Sequence, residues 1–176
     1  MHLTFREIWT VLHGMIFGAV YLLAFAGGMA SLYSLRPGLV TAEGVAERVK
    51  RMKFGLWAMA GVAWVTVTSG TWVVYIWYRA KPMPGADLLH YPKALLVSTP
   101  LTAGWHTFGM EWKEHVAWLV PILATATAFL VQRYGRRLIE MQPLRRVTIA
   151  MLGLAFAAAG VAGVLGAFIN KAATIR

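Results

Sequence analysis

Two histidines stand where an ionisable side chain is most telling. His13 lies about one turn inside the first long apolar run, in Leu12-His13-Gly14-Met15-Ile16-Phe17-Gly18, and His115 opens the third, in Glu111-Trp112-Lys113-Glu114-His115. Ionisable groups are costly at membrane depth, so one found there points to function by default. Neutral imidazole is a good iron ligand, and two histidines on facing helices can grip one haem iron from both sides while apolar neighbours hold the porphyrin. Glycines near the same end of three runs, Gly14 and Gly18, Gly70, and Gly163 and Gly166, would let a flat macrocycle approach the helix backbones. Each residue also has a plainer use. Gly14-x-x-x-Gly18 serves close helix packing, His13 can hydrogen-bond across helices, and His115 can be solvated at the surface.

A second constellation competes for His115. Glu111 and His115 share a helical face, and with His106 and Met110 nearby they offer oxygen, nitrogen and sulfur donors to copper or zinc. His106 and His115 are nine residues apart, about 180° around an ideal helix, so one regular helix cannot turn both inward. The competing structural use is a helix start at the interface, with Glu111 and Glu114 complementing the positive end of the dipole and Lys113 snorkelling. His90 and His106, with Tyr91 and Trp105, could line an edge pocket for a quinone headgroup, or lie on the surface as most loop histidines do. Thr66, Thr68, Ser69 and Thr71 have hydroxyls suited to bonding back to helix carbonyls. No Walker loop, dinucleotide fingerprint, His-Glu-x-x-His motif or nucleophile elbow occurs, which argues against an independent enzyme. The absence of cysteine excludes disulfides and thiolate chemistry.

The elements that must position these groups are membrane helices. Of 176 residues, 59% are hydrophobic and 14% charged, and the mean hydropathy is +0.59, outside the balance of a soluble domain. Four runs approach the 20 or so apolar residues that cross a hydrocarbon core, over 8–33, 54–78, 115–132 and 147–169. The expected fold is an all-α membrane protein, a four-transmembrane-helix bundle forming one domain over 1–176. The run from Ile8 to Tyr33 is too long for a signal-peptide core and reads as a retained helix. Pro121 predicts a kink in the third run, and the glycines and alanines of the fourth predict tight packing with no embedded charge, which disfavours ion transport. Residues 79–114 form a long, partly ordered outer-side segment whose Pro82, Pro84, Pro92 and Pro100 leave no room for a long helix before about residue 101. It is rich in Leu, Val, Tyr and Trp and is expected to fold over the end of the bundle or against a partner. Residues 35–52 carry Pro37 and Gly38, then alternate charged and apolar positions, suiting either a plain connector or a short surface helix.

Charge sets the expected orientation. The net charge of +10 would raise nucleic-acid binding in a soluble protein, but ten of the seventeen Lys and Arg fall in 34–53 and 133–146. Those loops are predicted to face the cytoplasm, which places both termini outside it, and no nucleic-acid partner is expected. Trp9, Trp77, Trp105, Trp112 and Trp118 mark one interface, and Tyr33, Trp57 and Tyr134 the other.

With four helices and histidines at one depth, the chain resembles membrane b-type cytochromes in architecture. That resemblance implies an electron-transfer subunit of a bacterial or archaeal inner membrane. It would hold one haem b between His13 and His115 and pass electrons between the quinone pool and a membrane or periplasmic redox partner, within a hetero-oligomeric complex. A cofactor-free accessory subunit of a larger membrane complex is the expectation from another class.

Overall fold

The computed structural model describes residues 3–39 and 41–175; Met1, His2, Val40 and Arg176 lie outside the described residues, as do the side chains of Leu39, Ala42 and Glu43. Among the described residues every element is helical. Four helices, Phe5–Tyr33, Gly44–Tyr78, Pro100–Ile139 and Gln142–Ala172, are long and apolar enough to cross a membrane, the build of an integral membrane protein. They are called the first to fourth helices below.

Local signals set where each begins. Thr4 and Glu7 form a reciprocal capping box, the Thr4 hydroxyl accepting from the Glu7 amide and the Glu7 carboxylate from the Thr4 amide, which satisfies two donors at the start of the first helix. Thr41 caps the second helix by accepting from the Gly44 amide. No proline follows before residue 69, so the helix runs unbroken from Ala42 to Ser69. The charged stretch expected as a connector or surface helix is therefore the first three turns of the second helix, braced by an Arg51–Glu47 pair at 2.8 Å. The third helix also starts earlier than its apolar run at 115–132, because Pro100 sits at a first-turn position where its missing N–H costs nothing. Its helical turns give way at Ala117 and Trp118, just before Pro121.

Successive helices run antiparallel. The start of the first, the end of the second, the start of the third and the end of the fourth meet at the end that carries both termini, the histidine end. At the opposite, basic end, the buried Arg145 guanidinium donates to the carbonyls of Leu35, Leu138 and Ile139, tying the fourth helix to the ends of the first and third. These carbonyls are among those that helix termini leave unpaired, so Arg145 has a structural duty beyond topology. The core between is apolar, built on Tyr21, Leu32, Leu56, Ala60, Ala128 and Leu152. Phe25 and Phe156 stack across the first and fourth helices at 4.0 Å between centroids.

Residues 79–99 hold only short helical turns, Leu88–His90 and Pro92–Val97. Leu96 is fully buried with Tyr78, Ile169, Ala173 and Ile175, a second small core that closes the histidine end.

Candidate functional site

Three departures from regular helix occur at the histidine end. Wider π-helical turns run over Leu12–Gly18 in the first helix, Gly70–Val74 in the second and Trp105–Met110 in the third. Such turns are rare, weaken the regular hydrogen-bond ladder and cluster at functional sites. His13 lies in the first, Gly70 opens the second, and His106 lies in the third.

His13 is half-buried against the second helix. Its Nδ1 lies 3.2 Å from the Ser69 Oγ, and Ser69 in turn donates to the carbonyl of Thr66 at 3.0 Å. The Ser69 hydrogen being committed, its oxygen accepts from His13, so Nδ1 carries the imidazole proton and Nε2 keeps its lone pair. The ring lies directly on Gly70: a methyl group there would sit 2.5 Å from Cε1 and 3.1 Å from Nε2. Only glycine admits the ring so close to the backbone. Lys113 reaches across from the third helix, where its charge acts on His13. Its Nζ rests on Gly166 of the fourth helix, 2.7 Å from where a Cβ would be.

His106 is buried, 8% exposed, and its Nδ1 shares a 3.0 Å hydrogen bond with the Tyr78 hydroxyl. His115 is turned the other way, with its side chain 75% exposed. Its Nδ1 donates to the Glu111 carbonyl at 2.8 Å, again leaving Nε2 as the acceptor. Glu114 has one carboxylate oxygen buried, with the Tyr75 phenol as its polar neighbour.

The structure thus gathers His13, Ser69, Gly70, Lys113 and Gly166 at one end of the bundle, with His106 and Tyr78 close to that end, but leaves His13 and His115 apart, one inside and one outside. Gly14 and Gly163 are exposed with open space above them, and Gly18 meets only its own helix. The five glycines do not line one cavity: Gly70 and Gly166 are covered by His13 and Lys113. His106, His115 and Glu111 are not drawn together as a three-donor metal site, and no group of three His, Asp or Glu side chains able to hold a metal occurs among the described residues. His106 is buried within the bundle and the His115 side chain is exposed outside it. His90 is exposed.

Sequence reasoning missed Lys113 and Glu114 as parts of this end, treating them as features of a helix start. The available signal was their place within a helix that begins fifteen residues before its continuous apolar run, at Pro100 rather than 115. Searches of known protein families, curated proteins and solved structures found no match to this chain.

Proposed function

We propose that this chain is a membrane-embedded electron-transfer subunit that holds a b-type haem at its histidine end. The observation that carries this reading is the state of the imidazoles. His13 and His115 each have Nδ1 committed to an oxygen and Nε2 kept as a lone pair, the outer-shell arrangement that orients histidine for iron. His13 and His115 are the proposed axial ligands; they lie apart, with the His115 side chain 75% exposed, so binding haem would have to turn both imidazoles onto the two faces of one iron. Haem would supply the one-electron couple; the chain would supply ligation, ring orientation and local polarity. Lys113 would provide positive charge beside His13, and Ser69 would hold the His13 ring in place. Electrons would pass between the quinone pool and a membrane or periplasmic redox partner docked over residues 79–99. The basic end would face the cytoplasm of a bacterial or archaeal inner membrane, leaving both termini outside.

A cofactor-free accessory subunit of a larger membrane complex is the second reading. It is favoured by one observation: the notches at Gly70 and Gly166, where a macrocycle was expected to approach, are filled by His13 and Lys113.

Absorption spectroscopy separates the two. Purified protein supplemented with haem should show a Soret band that shifts on dithionite reduction, and His13→Ala or His115→Ala should each abolish it. A colourless product, or a band indifferent to both substitutions, would refute the haem reading. Stoichiometric co-purification with a large complex and no bound cofactor would establish the accessory one.

A further inference from the structure

A cavity of about 490 Å³ opens at the basic end, between the second helix and the turn that ends the third. Lys50, Lys53, Arg133 and Arg136 line it, and among the described residues no carboxylate does. Among the described residues none of the four cations has an acidic partner within ion-pair distance; Glu47, whose carboxylate also feels the charge of Lys50, pairs with Arg51. Like charges gathered round one opening repel unless an anion sits among them. The wall is fixed by Gly135, whose φ of +42° is one that residues with a side chain rarely adopt. A Cβ there would stand 3.3 Å from Val49 and 3.6 Å from the Lys53 stem, so the turn lies tight against the second helix.

The cations sit on stripes that continue into exposed aromatic surface. Lys50, Lys53, Phe54 and Trp57 recur at the three- and four-residue spacings of one helix face, and Phe54 is 79% exposed. Phe129 and Arg133 recur likewise on the third helix, and Phe129 is 57% exposed. Positive charge at the helix ends, followed within a turn by exposed apolar side chains, matches a molecule with an anionic head and hydrocarbon tails. A free phosphate would use the cations and leave the aromatics without a role.

We propose that this cavity is a binding site for the phosphate headgroup of an anionic phospholipid, with its acyl chains lying along Phe54, Trp57 and Phe129. The site is independent of the histidine end and of any cofactor there. It gives the basic residues a specific ligand in addition to their part in orientation.

The test uses the full chain in detergent, titrated with phosphatidylglycerol or with phosphatidylcholine of the same acyl chains, followed by thermal unfolding and by native mass spectrometry of bound lipid. Phosphatidylglycerol should bind and raise Tm where phosphatidylcholine does not. Each neutralised cation should weaken binding about fivefold, so K53Q combined with R133Q should lose about 25-fold. K53R combined with R133K keeps the charge and should keep most of the affinity. R79Q combined with K81Q, at the other end of the chain's second helix, should leave it unchanged. Equal binding of the two lipids would overturn the proposal. So would equal loss in the R79Q and K81Q variant, or stabilisation by inorganic phosphate alone to the same degree as by phosphatidylglycerol.

Discussion

Replacing Gly70 by alanine tests the close approach on which the histidine end is built. The added methyl would stand 2.5 Å from His13 Cε1, 3.1 Å from Nε2 and 3.2 Å from Nδ1, so the whole ring, not a flexible tip, lies in its way. An imidazole has only two side-chain torsions with which to retreat, and retreat separates Nδ1 from the Ser69 hydroxyl. Overpacking of this kind costs about 1–3 kcal/mol. The lost hydrogen bond adds about 0.6 kcal/mol, a typical value between membrane helices. Together they predict a penalty of about 1.5–3.5 kcal/mol that exists only while the ring is present.

The same substitution in a His13→Ala background meets no ring. There the methyl has room, and the gain of up to about 1 kcal/mol of alanine over glycine in a helix, common to both backgrounds, cancels between them. SDS-titrated unfolding in mixed micelles of the four proteins of this double-mutant cycle should therefore give a coupling energy of about 1.5–3.5 kcal/mol between positions 13 and 70. If Gly70→Ala costs the same in both backgrounds, the ring does not rest on Gly70 and the geometry derived for His13 is wrong.

Gly166→Ala should behave differently despite a similar approach of 2.7 Å, because the atom met is the Nζ of Lys113, the far end of a flexible side chain. Stability should change by less than about 1 kcal/mol, since surface-like adjustments of this size are small; a loss above about 2 kcal/mol in the same unfolding assay would show that the ammonium is fixed in place. Arg145→Ala removes the donor shared by three carbonyls at the basic end and should cost about 2–4 kcal/mol, because a buried, charge-assisted bond is lost and its acceptors are left unpaired. Arg145→Lys, lacking the planar fork, should recover only part of this, and an Arg145→Ala variant that unfolds like the parent would remove that role.

The long apolar runs made the four helices legible, because a bilayer demands both length and composition of every crossing segment. Their ends were less legible. The second and third helices extend well beyond their apolar windows, at Ala42 and Pro100, because a capping threonine and a first-turn proline start a helix regardless of polarity. His13 was legible as an unusual residue, but its seat was not: contact with Gly70 depends on how two helices 57 positions apart are rotated against each other. Local spacing carries no record of that rotation. Arg145 shows the same limit from the other side, since its sequence context fits a topology signal while its three carbonyl partners come from chain segments up to 110 residues away.

The π-helical turns explain why rotation was hidden. A regular helix repeats every 3.6 residues, whereas one extra residue in a turn shifts everything beyond it around the axis by about 100°. Turns of this kind at Leu12–Gly18, Gly70–Val74 and Trp105–Met110 reset the facing of three helices at one level of the bundle. They allow His13 to face Ser69 while Gly14 and Met15 look outward, and His106 to reach Tyr78 while Phe108 is exposed. Packing alone gives no reason to concentrate three such weakened turns at the histidine end when the basic half of the bundle is built from regular helix and capped turns. Placing polar side chains inside an otherwise apolar bundle does give one: each turn aims a histidine or opens room for one. The same end carries a buried carboxylate oxygen on Glu114, beside the Tyr75 phenol, and an ammonium on Lys113. Stability has been relinquished there in three helices at once, which is where a site, rather than a scaffold, is expected.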